Sequence, residues 1–159
     1  MPPQALVKIA SSKPGAWFFV NVANRIDKHL IPATNGRISS VPGQPVLAME
    51  TIGAKSGQAR RTPLVYATDG ERIVLVASKG GAPRHPAWYH NLKANPDVQV
   101  WAPKGRSGRY RAREAEGEER DRLWAQMVGI WPRYAEYQKR TTRRIPVLVL
   151  KRVSPPPAR

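Results

Sequence analysis

The chain has 159 residues, enough for one domain with a sizeable core and too few for two of ordinary size. Its 27 Lys and Arg against 11 Asp and Glu give a formal charge of +16, which points to an anionic partner, while 41% hydrophobic residues exclude a disordered basic tail. The absence of cysteine excludes a disulfide scaffold, a Cys-ligated metal or iron–sulfur site and a thiol nucleophile.

Residues 1–14 carry Pro2, Pro3 and Pro14 with little periodicity and are expected to form a flexible arm. Across 15–32 the apolar residues Phe19, Val22, Ala23, Ile26 and Leu30 recur at helical spacing, which predicts an amphipathic helix ended by Pro32. The apolar run at 16–20 is far shorter than the roughly 20 residues of a membrane-spanning helix, and no cleavage site follows it. Neither a signal peptide nor a transmembrane span is expected, and the expected location is the cytoplasm. Trp17, Phe18 and Phe19 beside Lys13, Arg25 and Lys28 have the composition of an interfacial segment. They fit either packing onto the domain or peripheral contact with the inner face of the cell membrane.

A Gly-, Ser- and Pro-rich loop at 33–45 precedes a run of short strands. Strands are predicted at 45–52 and 63–68. Asp69-Gly70 then supplies residues suited to positive φ in a tight hairpin turn, and 72–78 returns antiparallel. A short helix from Pro86 to about Ala94 closes before Asn95-Pro96. Strands at 97–101 and 109–113 flank a turn at 103–108, with Arg109, Arg111 and Arg113 on one face and Tyr110 and Ala112 on the other. A helix at 116–131 is acidic in its first turns and buries Leu123, Trp124, Met127, Val128 and Trp131. Pro132 interrupts it, a short helix carries Tyr134 and Tyr137, a last strand covers 145–150, and 153–159 is a disordered tail. The hairpin links are too short for parallel crossovers, so the class is α+β, a mainly antiparallel barrel with helical decorations over residues 45–152.

Two glycine-containing basic loops carry the chemistry. Residues 53–62 hold Lys55, Arg60 and Arg61, and residues 78–85 hold Lys79 and Arg84. Glycines let backbone N–H groups approach a ligand beside cationic side chains, which suits phosphate or carboxylate. Neither loop matches a Walker or dinucleotide fingerprint, and solvated turns are the competing reading. The hairpin through Asp69-Gly70 is expected to make the two loops neighbours. Trp131, Tyr134 and Tyr137, spaced by three, form either core packing or the wall of a pocket for a flat ring. His29, His85 and His90 show no metal-ligand spacing, and no paired catalytic carboxylates or nucleophile elbow appear. An enzyme built this way takes its chemistry from an organic cofactor.

The stretches 51–57 (Thr-Ile-Gly-Ala-Lys-Ser-Gly), 61–66 (Arg-Thr-Pro-Leu-Val-Tyr), 76–81 (Val-Ala-Ser-Lys-Gly-Gly) and 86–96 (Pro-Ala-Trp-Tyr-His-Asn-Leu-Lys-Ala-Asn-Pro) are followed by Tyr134, Tyr137 and Arg144-Ile145-Pro146. In this order and spacing they resemble the deazaflavin-dependent nitroreductase and quinone reductase family of actinobacteria, over roughly residues 45–150. The resemblance implies a flavin-reductase-like split β-barrel with peripheral helices, coenzyme F420 as reductant, and hydride transfer to a quinone of menaquinone type or, promiscuously, to a nitroaromatic compound.

It further implies coenzyme binding by Lys55, Ser56, Gly57, Arg60, Arg61, Thr62 and Pro63 and by Val76, Ala77, Ser78, Lys79 and Gly80, with Trp88 and Asn91 supporting the second loop. Trp131, Tyr134 and Tyr137 would form the substrate wall, and a hydroxyl of Ser78, Tyr134 or Tyr137 would stabilise or protonate the oxygen that gains charge. No metal is expected. Ala54 replaces the family's usual arginine and Trp131 a tyrosine of a known member, which favours quinone over nitro reduction. The competing classes are an FMN-type or haem-degrading enzyme on the same barrel and a basic nucleic-acid-binding protein, the latter motivated by Arg109, Arg111 and Arg113 near Trp101.

Overall fold

The computed structural model describes residues 13–40 and 45–153, with the backbone alone at 13–21. The arm at 1–12 and the tail at 154–159 lie outside the described residues. In chain order the elements are helix α1 (Lys13–Ala33), strands β1 (Val46–Ile52), β2 (Ala59–Val65), β3 (Ala67–Asp69) and β4 (Arg72–Val76), and a 3-10 turn (Lys79–Gly81). Then come α2 (Ala87–Ala94), β5 (Asp97–Trp101), β6 (Gly108–Glu114), α3 (Gly117–Ile130), α4 (Arg133–Lys139) and β7 (Val147–Arg152).

The seven strands form one sheet in the order β2-β1-β5-β6-β7-β4-β3, and every pairing is antiparallel. Its two outermost strands, β2 and β3, are consecutive in the chain and separated only by Tyr66. Edges joined by one residue can be met only if the sheet curls until they approach, so the sheet is a split barrel, as expected.

Alternation along the strands divides the apolar residues into two layers. Leu47, Met49, Ile73, Leu75, Val98, Val100, Tyr110, Leu148 and Leu150 fill the barrel interior, joined by Trp88, Tyr89 and Leu92 of α2. Val74, Val76, Val147 and Val149 face outward under Leu123 and Met127 of α3 and Tyr134 of α4. The registers place the ends of β1, β4 and β6 and the starts of β2, β5 and β7 at one end of the barrel, hereafter the mouth. Asn91 of α2 reaches Thr51 near the end of β1, so α2 plugs this end.

Several elements depart from the expectations. Helix α1 begins at Lys13, within the expected arm, and includes Pro32 near its last turn. Among its described side chains the buried ones are Asp27 and Ile31, while Ile26 of the expected stripe is 48% exposed; Asp27 Oδ1 accepts a hydrogen bond from the Ser40 N–H at 2.6 Å. Strand β2 starts four residues early, at Ala59, because the backbone of Arg60 and Arg61 continues the ladder with Thr51 and Glu50. The strand expected at 63–68 breaks at Tyr66, whose N–H bonds the Pro45 carbonyl. Pro63 sits comfortably in β2 because that strand is an edge. In the β3–β4 hairpin only Gly70 of the expected Asp-Gly pair has positive φ, at +61°. The last strand runs from Val147 to Arg152 rather than 145–150.

Candidate functional site

Both basic loops leave the mouth, one from the end of β1 and the other from the end of β4. These strands are separated by β5, β6 and β7 along the sheet, so the β3–β4 hairpin does not bring the loops together. Among the described residues no hydrogen bond or ion pair joins them; they share an end of the barrel because the sheet curls.

The first loop borders an open cavity of about 660 Å³ lined by residues 53–56 and 60–62 together with Ala87, Trp88, His90 and Asn91. This gathers Lys55, Ser56, Arg60, Arg61, Thr62, Trp88 and Asn91 of the expected coenzyme residues and leaves Gly57 and Pro63 outside its lining. Asn91, 8% exposed, organises the loop: its Oδ1 accepts from the Ala54 N–H at 2.9 Å, and its Nδ2 donates to Thr51 Oγ1 at 3.1 Å. Asn91 therefore supports the first loop and not the second, because both its polar atoms are committed to the end of β1. Trp88 is buried in the interior cluster beneath it. Lys55 and Arg60 are exposed, with no hydrogen bond or ion pair among the described residues. Arg61 is held by Glu50 at 2.9 Å and lies 4.8 Å from the Trp101 ring, so much of its charge is already spent.

The second loop is built differently. Val76 and Ala77 are buried at the end of β4, Ser78 is half-buried, and Lys79 and Gly80 are exposed. Ser78 has right-handed φ and ψ of −79° and −38°, and Lys79, Gly80 and Gly81 follow at φ of +44°, +63° and +81°. A right-handed residue followed by left-handed ones turns successive N–H groups into one concavity, a nest for an anion. The N–H groups of residues 78–80 have no partner among the described residues.

This loop also packs on the helix of the aromatic residues. A Cβ on Gly81 would lie 2.5 Å from the Tyr137 carbonyl oxygen, so only glycine permits the approach. The guanidinium of Arg143 bonds the carbonyls of Ala77, Ser78 and Ala82, and Arg140 reaches that of Gly80. These two arginines lie outside the motifs recognisable in the sequence. Their partners are about 60 residues away in the chain, a separation that leaves no local pattern.

Trp131, Tyr134 and Tyr137 are brought together, although Trp131 lies in the break between α3 and α4 and not on a continuous helix. Tyr134 is buried and packs against Trp124 and Tyr137, with ring centroids 6.4 and 6.2 Å away. Burial, and secondarily the neighbouring Tyr137, push its phenol up to about 12, so it remains a neutral hydrogen-bond donor. Trp131 and Tyr137 are half-buried, with Arg133 and Arg140 against their rings at 5.8 and 5.5 Å. The group thus combines both readings of the stripe: Tyr134 is core, while Trp131 and Tyr137 keep an open face.

Of the arginine ladder on β6, Arg111 pairs with Asp97 and Arg113 with Glu119, while Arg109 has no acidic partner among the described residues. Among the described residues no group of three His, Asp or Glu side chains could hold a metal ion, and no helix is long and apolar enough to cross a membrane. The side chains of Trp17, Phe18 and Phe19 lie outside those described.

Residues 23–152 match the family model of F420H2-dependent quinone reductases. A relative in Mycobacterium tuberculosis named as an F420H2-dependent quinone reductase is 48% identical over 134 residues, covering 80% of this chain and 89% of the relative. A solved structure of an F420H2-dependent reductase aligns with a TM-score of 0.60 at 45% identity, over 67% of this chain and 94% of that one. A second, described as a domain-swapped dimer, aligns with a TM-score of 0.65 at 37% identity, over 87% and 100% of the two chains. The haem storage protein HutZ of Vibrio cholerae shares the fold at 13% identity and a TM-score of 0.54, over 71% and 84% of the two chains.

Proposed function

Because this chain belongs to the F420H2-dependent quinone reductase family, we propose that its two mouth loops clamp coenzyme F420 between them and that the Trp131–Tyr137 face presents a quinone to it. It is an F420H2-dependent oxidoreductase. The residues at the mouth fit an anionic coenzyme with a flat ring. The first loop offers the free cations Lys55 and Arg60, and the second offers the unpartnered N–H groups of the nest beside Lys79. The nest is the observation that carries the reading, because donors left free by a strained backbone suit an acceptor from outside the chain.

The bound coenzyme, in its reduced form, supplies a hydride. The protein's part is positioning and electrostatics. Lys55 and Arg60 attract the charged portion of the coenzyme, and Asn91 fixes the loop that presents them. Ser78, at the start of the nest, contributes a hydroxyl donor for the coenzyme or the acceptor. Trp131 and Tyr137 hold the acceptor ring flat. The quinone oxygen that gains charge on accepting a hydride is served by the Tyr137 or Ser78 hydroxyl as donor; Tyr134, being buried and held protonated, supports the wall.

A menaquinone-like acceptor is favoured over a nitroaromatic one because Trp131 closes the wall with an apolar ring and offers no phenol there. The aromatic and basic residues 17–28 favour peripheral contact with the inner face of the membrane, where such an acceptor resides. Phe18→Glu is then expected to reduce sedimentation with anionic liposomes.

The test is oxidation of reduced F420 by a short-chain menaquinone analogue and by a nitroaromatic compound, alongside titration with FMN and a single-stranded oligonucleotide. The expected result is quinone-dependent turnover, and in Trp131→Tyr a rise in nitro relative to quinone activity. Tight FMN or oligonucleotide binding with no binding of F420 would overturn the reading.

A further inference from the structure

We propose that Arg143 is the positioning residue that shapes loop 77–82 for the coenzyme, an assignment that rests on the functional reading above. Arg143 lies in the irregular segment between α4 and β7. Its Nη2 donates to the Ser78 carbonyl at 2.7 Å, Nε to Ala82 at 2.9 Å, and Nη1 to Ala77 at 3.2 Å. Nη1 also meets His85 Nδ1 at 3.0 Å. One planar fork therefore engages four acceptors spread over residues 77–85, which the single ammonium of a lysine could not do.

The direction of these bonds matters more than their number. In a trans peptide the C=O and the following N–H point opposite ways. Holding the carbonyls of Ala77 and Ser78 toward Arg143 turns the N–H groups of Ser78 and Lys79 away from it, into the nest. Arg140, bonding the Gly80 carbonyl at 3.4 Å from the same helix end, adds a second hold.

The His85 contact requires a lone pair on Nδ1, hence a neutral ring. Burial, followed by the charge of Arg143, favours that form. His85 in turn stacks on Tyr89 of α2, with centroids 4.4 Å apart, so the clamp also registers the loop against the helix that plugs the mouth.

The experiment compares Arg143→Ala and Arg143→Lys with the unaltered protein in F420 titration and in steady-state kinetics. Arg143→Ala is expected to weaken coenzyme binding roughly tenfold or more while leaving KM for the quinone within about twofold. Low-millimolar guanidinium should restore part of the loss, because it can refill the vacated fork site. Arg143→Lys should be intermediate and insensitive to guanidinium.

Coenzyme binding by Arg143→Ala as tight as by the unaltered protein would sink this assignment alone, whereas an unaltered protein that binds no F420 would overturn it together with the functional reading. A loss equally large for coenzyme and quinone that guanidinium does not touch, or loss of the folded circular dichroism spectrum in both variants, would make Arg143 a structural residue and would also overturn the assignment.

Discussion

The two loops at the mouth are alike in composition and opposite in construction. Loop 53–62 carries Lys55 and Arg60 on exposed side chains and is tied to α2 through Asn91. In the second loop, donors are presented by the backbone itself, at three consecutive left-handed residues, with its carbonyls fastened by Arg143 and Arg140 and its back pressed against Tyr137. Mobile charges attract a ligand at long range and tolerate variation, whereas a strained and braced backbone fixes geometry and tolerates little. A reaction between two rings needs both, and the chain divides the tasks between the ends of β1 and β4.

The sharpest way to break the contrast is to add one methyl group to each loop. Gly81→Ala combines left-handed φ with a clash against the Tyr137 carbonyl and is expected to cost about 3 kcal/mol in chemical denaturation. Gly57→Ala, at φ +68° with open space around it, should cost only about 1 kcal/mol. Equal costs would remove the distinction. Asn91→Ala strands the Ala54 N–H and the Thr51 hydroxyl; about 2 kcal/mol of stability should be lost, together with F420 affinity, in denaturation and titration measured on one preparation.

The second loop should respond to mild acid. His85 is held below the ordinary histidine value, so the unfolded chain takes up the proton more readily than the folded one. The contribution of the Arg143 contact is present above pH 6.5 and is lost as pH falls through the lower folded value. The groups facing His85 are Arg143, His90, Tyr89 and, more distantly, Glu114. Coenzyme affinity should fall roughly threefold between neutral pH and pH 5 by this route, and His85→Gln should flatten that part of the profile. The smallest effects belong to the first loop: Lys55→Ala and Arg60→Ala should each weaken F420 binding by about two- to threefold at physiological salt. That difference should vanish as ionic strength rises.

Much of the barrel was legible because alternation and turn chemistry speak locally. Strands β1, β4, β5 and β6, the turn at Gly70 and helix α3 follow from apolar spacing and from residues that prefer particular backbone angles. The start of β2 did not, since Ala59-Arg60-Arg61-Thr62-Pro63 has no apolar alternation. An exposed edge strand buries little, so its sequence need not declare it. Helix α1 was placed but rotated, because the buried Asp27 is there for the Ser40 N–H and not for hydrophobicity. Of the site, Lys55, Arg60 and the backbone of Ser78–Gly80 were visible as glycine-flanked basic stretches. The braces, Asn91 to Ala54 and Arg143 to Ala77, join residues 37 and 66 positions apart, and such bonds are fixed only by the finished fold.

Tyr66 gives the site a mechanical property. Among the described residues no hydrogen-bond ladder closes the barrel between β2 and β3; a single residue stitches the two margins, like a cuff fastened at one button. Val65 before it pairs with Val46 at the start of β1, and Ala67 after it pairs with Val74 near the end of β4. The start of β2 and the end of β4, each bearing one of the two loops, belong to margins of the sheet that share no strand pairing. The aperture between the loops is thus not quantised by strand register. It is set instead by how far the sheet curls between them.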